Sequence, residues 1–202
     1  MTIDEIMRAA PVIPVLVVED PTYARPIATA LVDGGLPVLE VTLRTEAALD
    51  VISEMAAVPG AIVGAGTVLN ARQLDEARAV GARFIVSPGL TEPLARAAIE
   101  RGTPYLPGIA NAGDIMRGLD LGLDRFKFFP AEASGGRKAL AALAGPFGAA
   151  RFCPTGGVTA ESAPGWLSEA HVLCVGGTWL VAKGEPDLDA IRSAAQAAAA
   201  FR

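Results

Sequence analysis

The segment RFKFFPAE, residues 125–132, sets Lys127 in an aromatic, apolar run. Lysine is almost never fully buried unless a partner pairs with it or a reaction uses it, and an unpaired ammonium between packed faces is costly. With the two-residue period of a strand, Phe126 and Phe128 point to one face while Lys127 and Phe129 point to the other. In VLEVTLRT the same alternation sets Glu40, Thr42 and Arg44 apart from Val41 and Leu43. If the apolar faces meet helices, an amine and a carboxylate enter one interior, with a guanidinium near its rim. Desolvation and neighbouring cations favour the uncharged form of an amine, which is a nucleophile toward carbonyl carbon. Two blander readings stand beside this one: Glu40 and Arg44 as a structural ion pair, and Lys127 laying its stem along apolar surface with its head in water. The other lysines, Lys138 and Lys183, lie in ordinary amphipathic or loop surroundings.

A second set of signals is rich in glycine. PTGG supplies Thr155, Gly156 and Gly157, and GGTW supplies Gly176, Gly177 and Thr178 ahead of an expected short helical turn. Glycines let backbone N–H groups come close to an anion, and a helix N-terminus adds partial positive charge. One Gly-Gly pair reads mostly as a turn, whereas two pairs after adjacent strands point to a bound phosphate. Thr67, in VGAGTV, offers a hydroxyl that can donate to a carboxylate or cap a turn. Metal and cofactor chemistry lack material. His171 is the single histidine and precedes its strand, Cys153 and Cys174 lie in short apolar runs, and no GxGxxG opens the first helix. No metal and no cofactor are expected.

These residues converge only if strands and helices alternate. After a short N-terminal helix opened by the capping box Thr2–Glu5, eight apolar runs recur at 12–18, 38–43, 61–65, 84–87, 105–109, 126–129, 151–154 and 172–176. Amphipathic stretches such as TEAALDVISEMAA and TEPLARAAIERG separate them, with starts marked by Thr45, Asn70, Thr91 and Asn111 and stops by Gly81, Gly102, Gly122 and Gly145. Eight strand–helix units with both strand faces apolar predict an α/β protein of the (β/α)8 TIM-barrel class, one domain over residues 1–202. In such barrels the reacting groups stand at the C-terminal strand ends, the rim on which Arg44, Thr67 and both glycine pairs fall.

The chain is 51% hydrophobic, carries a net charge of −5 and has no run of basic residues, so a small molecule is expected as partner, not nucleic acid or a membrane surface. VIPVLVV is far too short to span a bilayer and the first residues lack a long apolar segment, which predicts a cytoplasmic protein.

Nearly end to end, the sequence resembles the 2-keto-3-deoxy-6-phosphogluconate (KDPG) and 4-hydroxy-2-oxoglutarate (KHG) aldolases, which cleave keto acids through a Schiff base. The likeness rests on VIPVLVV, LEVTLRT, VGAGTV, FIVSPGLTEP, FKFFPAE, RFCPTGGV and CVGGTWL. It implies a Schiff-base lysine at Lys127, a proton-transferring carboxylate at Glu40, and Arg44 with Thr67 gripping the substrate carboxylate. It also implies a phosphate against Gly156, Gly157, Gly176, Gly177 and the hydroxyl of Thr178. Pro88, Phe129 and Thr155 would line the cavity, with Thr155 sensing a substrate hydroxyl. The resemblance further implies a homotrimer of barrels acting on a 2-keto acid phosphate. Thr178 stands where the family often carries serine, and PGIANAGD replaces a loop richer in hydroxyls.

Two rivals share these residues. One is a phosphate-binding barrel isomerase in which Glu40 abstracts a proton and Lys127 stabilises an enolate without covalent attachment. The other is a non-catalytic protein that binds a phosphorylated ligand. Within the aldolases, the galactonate-derived epimer and unphosphorylated 4-hydroxy-2-oxoglutarate are alternative substrates.

Overall fold

The computed structural model describes residues 1–201. Its capping box forms as the spacing predicts: Thr2 Oγ1 accepts from the Glu5 N–H at 3.2 Å, and Glu5 Oε2 accepts from the Thr2 N–H at 2.7 Å, opening α1 (Ile3–Arg8). Then β1 (Val12–Leu16), α2 (Ala24–Asp33), β2 (Val38–Thr42), α3 (Ala48–Ala56), β3 (Ile62–Gly66), α4 (Ala71–Ala79), β4 (Phe84–Val86) and α5 (Glu92–Glu100) alternate. The fifth run is broken: Pro107, which has no N–H to donate, separates β5 (Tyr105–Leu106) from β6 (Gly108–Ile109). There follow α6 (Ala112–Asp120), β7 (Arg125–Phe128), α7 (Gly136–Ala144), β8 (Arg151–Pro154), α8 (Ala163–Leu167), β9 (Val175–Gly177) and α9 (Leu188–Ala199).

All the strand pairings are parallel, in a six-stranded ladder β5-β4-β3-β2-β1-β9 and a three-stranded ladder β6-β7-β8. The architecture is α/β with a curled parallel sheet. The eight expected strands thus appear as two ladders and not as one hydrogen-bonded ring. Pro107 interrupts one junction, and at the other only the isolated bridges Phe152–Val172 and Thr155–Gly176 connect β8 toward β9.

Strand alternation divides the apolar residues into two layers. Leu39, Val41, Ile85, Phe126, Phe128 and Phe152 belong to the large cluster packed against the helices. Ile13, Val38, Phe84, Val86, Leu106, Cys153 and Cys174 form a second cluster inside the curl, joined by Ile6 and Met7 of α1. Arg125 Nε donates to Asp4 Oδ1 at 2.6 Å, tying α1 to the start of β7. The Arg8 hydrogen bond, with that of Arg125, holds the Asp4 carboxyl below its usual value against the opposing effect of burial.

Asn70 and Asn111 cap α4 and α6 through their side chains. Thr45 does not cap: α3 begins later, and the Thr45 hydroxyl donates to the Val18 carbonyl at 3.0 Å. Thr91 sits at the N-cap of α5 without a side-chain bond. Gly81, Gly102 and Gly122 stop their helices in the left-handed region, whereas Gly145 keeps a right-handed φ of −50°. Among the described residues, no helix is long and apolar enough to cross a membrane.

Candidate active site

Lys127 is the second inward residue brought to the centre by β7, registered between Gly108 on β6 and Cys153 on β8. Glu40 comes from β2, registered between Val15 on β1 and Gly64 on β3. The two meet across the interior although 87 residues separate them in sequence: Lys127 Nζ donates to Glu40 Oε1 at 3.0 Å and Oε2 at 3.4 Å. Their side chains are 7% and 4% exposed, so this is a desolvated ion pair and neither the lysine nor the carboxylate has escaped to water. The blander readings of a snorkelling lysine and a Glu40–Arg44 pair therefore fail. Phe129 lies beside the amine, its ring centroid 5.4 Å from Nζ, close enough for a cation–π contact.

The position of Glu40 depends on a residue that the sequence alone did not single out. A Cβ placed on Gly66 would lie 2.3 Å from Glu40 Oε1. Glycine inside a strand often marks a close approach, and the GAG of β3 was the available signal. Thr42, grouped by alternation with Glu40, instead donates its hydroxyl to the Leu16 carbonyl at 2.9 Å and so braces β2 against β1.

Above the pair, Arg44 is exposed just beyond β2 and forms no ion pair among the described residues, which leaves its guanidinium available to an anion. Its Nε lies 3.4 Å from Thr67 Oγ1. Thr67 is the single non-glycine residue with positive φ among the described residues, at 58°. A β-branched residue held in that region is strained, and such strain clusters where a side chain must be aimed. Pro88 is exposed at the end of β4, and its carbonyl would collide with any Cβ on Gly108, at 2.2 Å.

The opposite side of the rim is built by the glycine pairs. Gly156 and Gly157 have φ of 98° and 82°, conformations that a side chain would strain. Thr155 is buried. Its hydroxyl donates to the Cys153 carbonyl at 3.3 Å, and its Oγ1 lies where a Cβ on Gly176 would approach to 2.3 Å. Gly177 similarly makes room for the Trp179 ring. Thr178 is exposed. A hydrogen-bonded turn at Trp179 and Leu180 follows the glycine pair, as expected, but it does not extend into a helix, and the next helix is α9.

A cleft of about 390 Å³ opens nearby between the segments after β1 and β9. Glu19, Asp20 and Glu185 outnumber Lys183 on its walls, an arrangement that repels a phosphate, and neither Lys127 nor Glu40 lines it. His171 is half-buried, with its carbonyl accepting from the Phe152 N–H at 2.8 Å, away from the catalytic rim. No group of three His, Cys, Asp or Glu side chains placed to share a metal ion occurs among the described residues.

Fold and site together define a parallel α/β protein carrying a buried lysine–carboxylate pair beneath a polar, glycine-rich rim. The chain belongs to the KDPG and KHG aldolase family, whose model matches residues 3–194, and is thereby an enzyme of the lyase class. It is 58% identical over 200 residues to the 2-dehydro-3-deoxy-phosphogluconate aldolase of Zymomonas mobilis, covering 99% of this chain and 96% of that one. The crystal structure of the Z. mobilis ZM4 2-keto-3-deoxy-6-phosphogluconate aldolase with 3-phosphoglycerate superposes with a TM-score of 0.98, at 58% identity and 99% and 96% coverage. The Legionella pneumophila KDPG aldolase, with pyruvate captured as a covalent carbinolamine intermediate, gives a TM-score of 0.96 at 38% identity, covering 99% of each chain.

Proposed function

We propose that this protein is a Schiff-base aldolase that cleaves 2-keto-3-deoxy-6-phosphogluconate to pyruvate and glyceraldehyde 3-phosphate, with Lys127 as nucleophile and Glu40 as proton carrier. The observation that carries this reading is the desolvated contact of 3.0 Å between Lys127 Nζ and Glu40 Oε1. The carboxylate is the natural acceptor of the ammonium proton, and the amine left behind attacks the C2 carbonyl. Glu40 returns the proton to the carbinolamine oxygen, water departs and an iminium forms. Cleavage of C3–C4 sends its electron pair into the iminium, the C4 hydroxyl passes its proton to the Glu40 carboxylate, which holds it for the enamine, and the aldehyde leaves. Protonation of the resulting enamine at C3 and hydrolysis release pyruvate and restore Lys127.

Arg44, with Thr67, holds the keto-acid carboxylate; the planar guanidinium suits it as a bidentate donor. Thr155 faces the C4 hydroxyl, Phe129 and Pro88 wall the cavity, and Gly156, Gly157, Gly176, Gly177 and Thr178 receive the phosphate. Remote phosphate binding then positions C2 beside the amine. The 3-phosphoglycerate and the pyruvate carbinolamine held by the two relatives support both ends of this arrangement. None of these steps assigns a role to a metal or cofactor.

The same reading treats residues 1–202 as one domain, with the two ladders closing into a (β/α)8 barrel. Supporting closure, β5 and β6 are one segment bent at Pro107, and the bridges Phe152–Val172 and Thr155–Gly176 span the other gap. A homotrimer in the cytoplasm completes the proposal, by analogy with the family.

Borohydride reduction in the presence of pyruvate tests it. A reduced adduct on the peptide containing Lys127, abolished by Lys127→Ala, is the expected result. No adduct, or one on Lys138 or Lys183, would refute the nucleophile and favour non-covalent enolate chemistry.

A further inference from the structure

Glu132 ends the FFPAE motif, is exposed, and has no part in the chemistry above. It nevertheless makes a set of contacts unusual for a surface acid. Its Oε1 accepts from the indole N–H of Trp166 at 2.9 Å. Trp166 is 1% exposed, and its ring lies 6.3 Å from that of Phe128, next to Lys127 on β7. The Glu132 N–H donates to the Gly156 carbonyl at 3.1 Å, just after the Ala131 N–H donates to the Thr155 carbonyl at 2.8 Å. The side-chain stem covers Gly157 so closely that a Cβ there would meet Glu132 Cβ and Cγ at 2.8 Å. The other face of the carboxylate approaches the start of α7, where a Cβ on Gly136 would lie 3.3 Å from Oε2.

A free carboxylate beside a phosphate site would repel the ligand. Here an indole donor engages one oxygen, and the partial positive charge of the α7 N-terminus faces the other. The charge is thus turned away from the glycine pair while the backbone and stem press against it. We infer that Glu132 is a positioning residue that, anchored by Trp166, sets the Gly156–Gly157 turn in the conformation that receives the phosphate. This inference rests on the phosphate assignment proposed above.

Because Lys127 bonds to Glu40 and Trp166 to Glu132, with no hydrogen bond between the two pairs, loss of this strut should act chiefly at the phosphate end. Glu132→Ala and Trp166→Phe, the second of which keeps an aromatic ring but removes the N–H donor and part of the buried indole, are each expected to lower kcat/KM for the phosphorylated keto acid roughly tenfold. Competitive inhibition by inorganic phosphate should weaken in parallel, while the rate of borohydride trapping of pyruvate stays at the wild-type value. Glu132→Gln retains an acceptor oxygen and should restore most of the phosphate response. Equal losses in kcat/KM and pyruvate trapping would make Glu132 a general structural residue and overturn the inference, as would a Glu132→Ala enzyme with wild-type phosphate inhibition. Wild-type protein indifferent to inorganic phosphate would instead overturn the phosphate assignment, and this inference with it.

Discussion

Gly66→Ala probes how closely catalysis depends on where the Glu40 carboxylate stands. Gly66 is not among the residues with positive φ, so alanine adds a methyl without backbone strain. That methyl would sit 2.3 Å from Oε1 and 2.7 Å from Cγ of Glu40, where ordinary contact begins at 3.4 Å. Relief requires the carboxylate to retreat by about 1 Å, a displacement that costs about 100-fold in rate when it falls on a reacting group. The retreat also breaks the hydrogen bond of 3.0 Å from Lys127. Overpacking should reduce stability by only about 1–3 kcal/mol, leaving the protein folded at room temperature.

Gly64→Ala is the matched control. Its methyl would meet the Phe84 ring at 2.4 Å, a comparable collision two residues earlier on the same strand but against an apolar wall. Steady-state pyruvate release, read alongside urea unfolding of both variants, separates the effects. The expected pattern is similar destabilisation with an activity loss confined to Gly66→Ala. A Gly66→Ala enzyme with kcat within about threefold of wild type, or a Gly64→Ala enzyme equally slow, would refute the dependence on carboxylate placement.

Three further outcomes are expected. Lys127→Met leaves Glu40 buried without its cation and should destabilise the fold by about 3–5 kcal/mol in urea unfolding; adding Glu40→Met should recover most of that loss, and no recovery would mean that the pair is not desolvated. Thr67→Gly relieves a β-branched residue at φ 58°, so stability should hold or rise by about 1 kcal/mol while the KM for keto acid increases with loss of the hydroxyl near Arg44; a drop in stability would show that the backbone is not strained. Burial pushes the Tyr105 phenol up to about 12, with the Ser87 hydrogen bond acting in the opposite direction. Since the folded value exceeds the unfolded one near 10, stability is unaffected below about pH 10 and declines as pH rises through about 12. Tyr105→Phe should abolish the alkaline part of that decline in urea unfolding, and persistence of the full decline would place its origin elsewhere.

What could be read from the sequence was what repeats locally. Alternation in strands put Phe126 and Phe128 under the helices and Lys127 and Glu40 inside, and both pairs of placements hold. Asn70, Asn111 and the Thr2–Glu5 box also act as their spacing predicts. What could not be read was set by distant partners. Thr45 had the right identity for a cap, yet the Val18 carbonyl, from another strand end, claims its hydroxyl. Local periodicity said nothing of which strand faces which, so the role of Gly66 in clearing space for Glu40 and the tie between Glu132 and Trp166 were invisible. The break at Pro107 follows from a missing donor, but an apolar run hid it because hydrophobic pattern does not register ladder bonds.

α1 lies beneath the inner cluster, with Ile6 and Met7 wholly buried there and Asp4 clamped to Arg125. With that end filled by side chains, a ligand of the proposed site would come and go across the opposite rim, past Arg44 and Thr67, and a change that loosens α1 would be felt as a softening of the interior and not as a wider entrance.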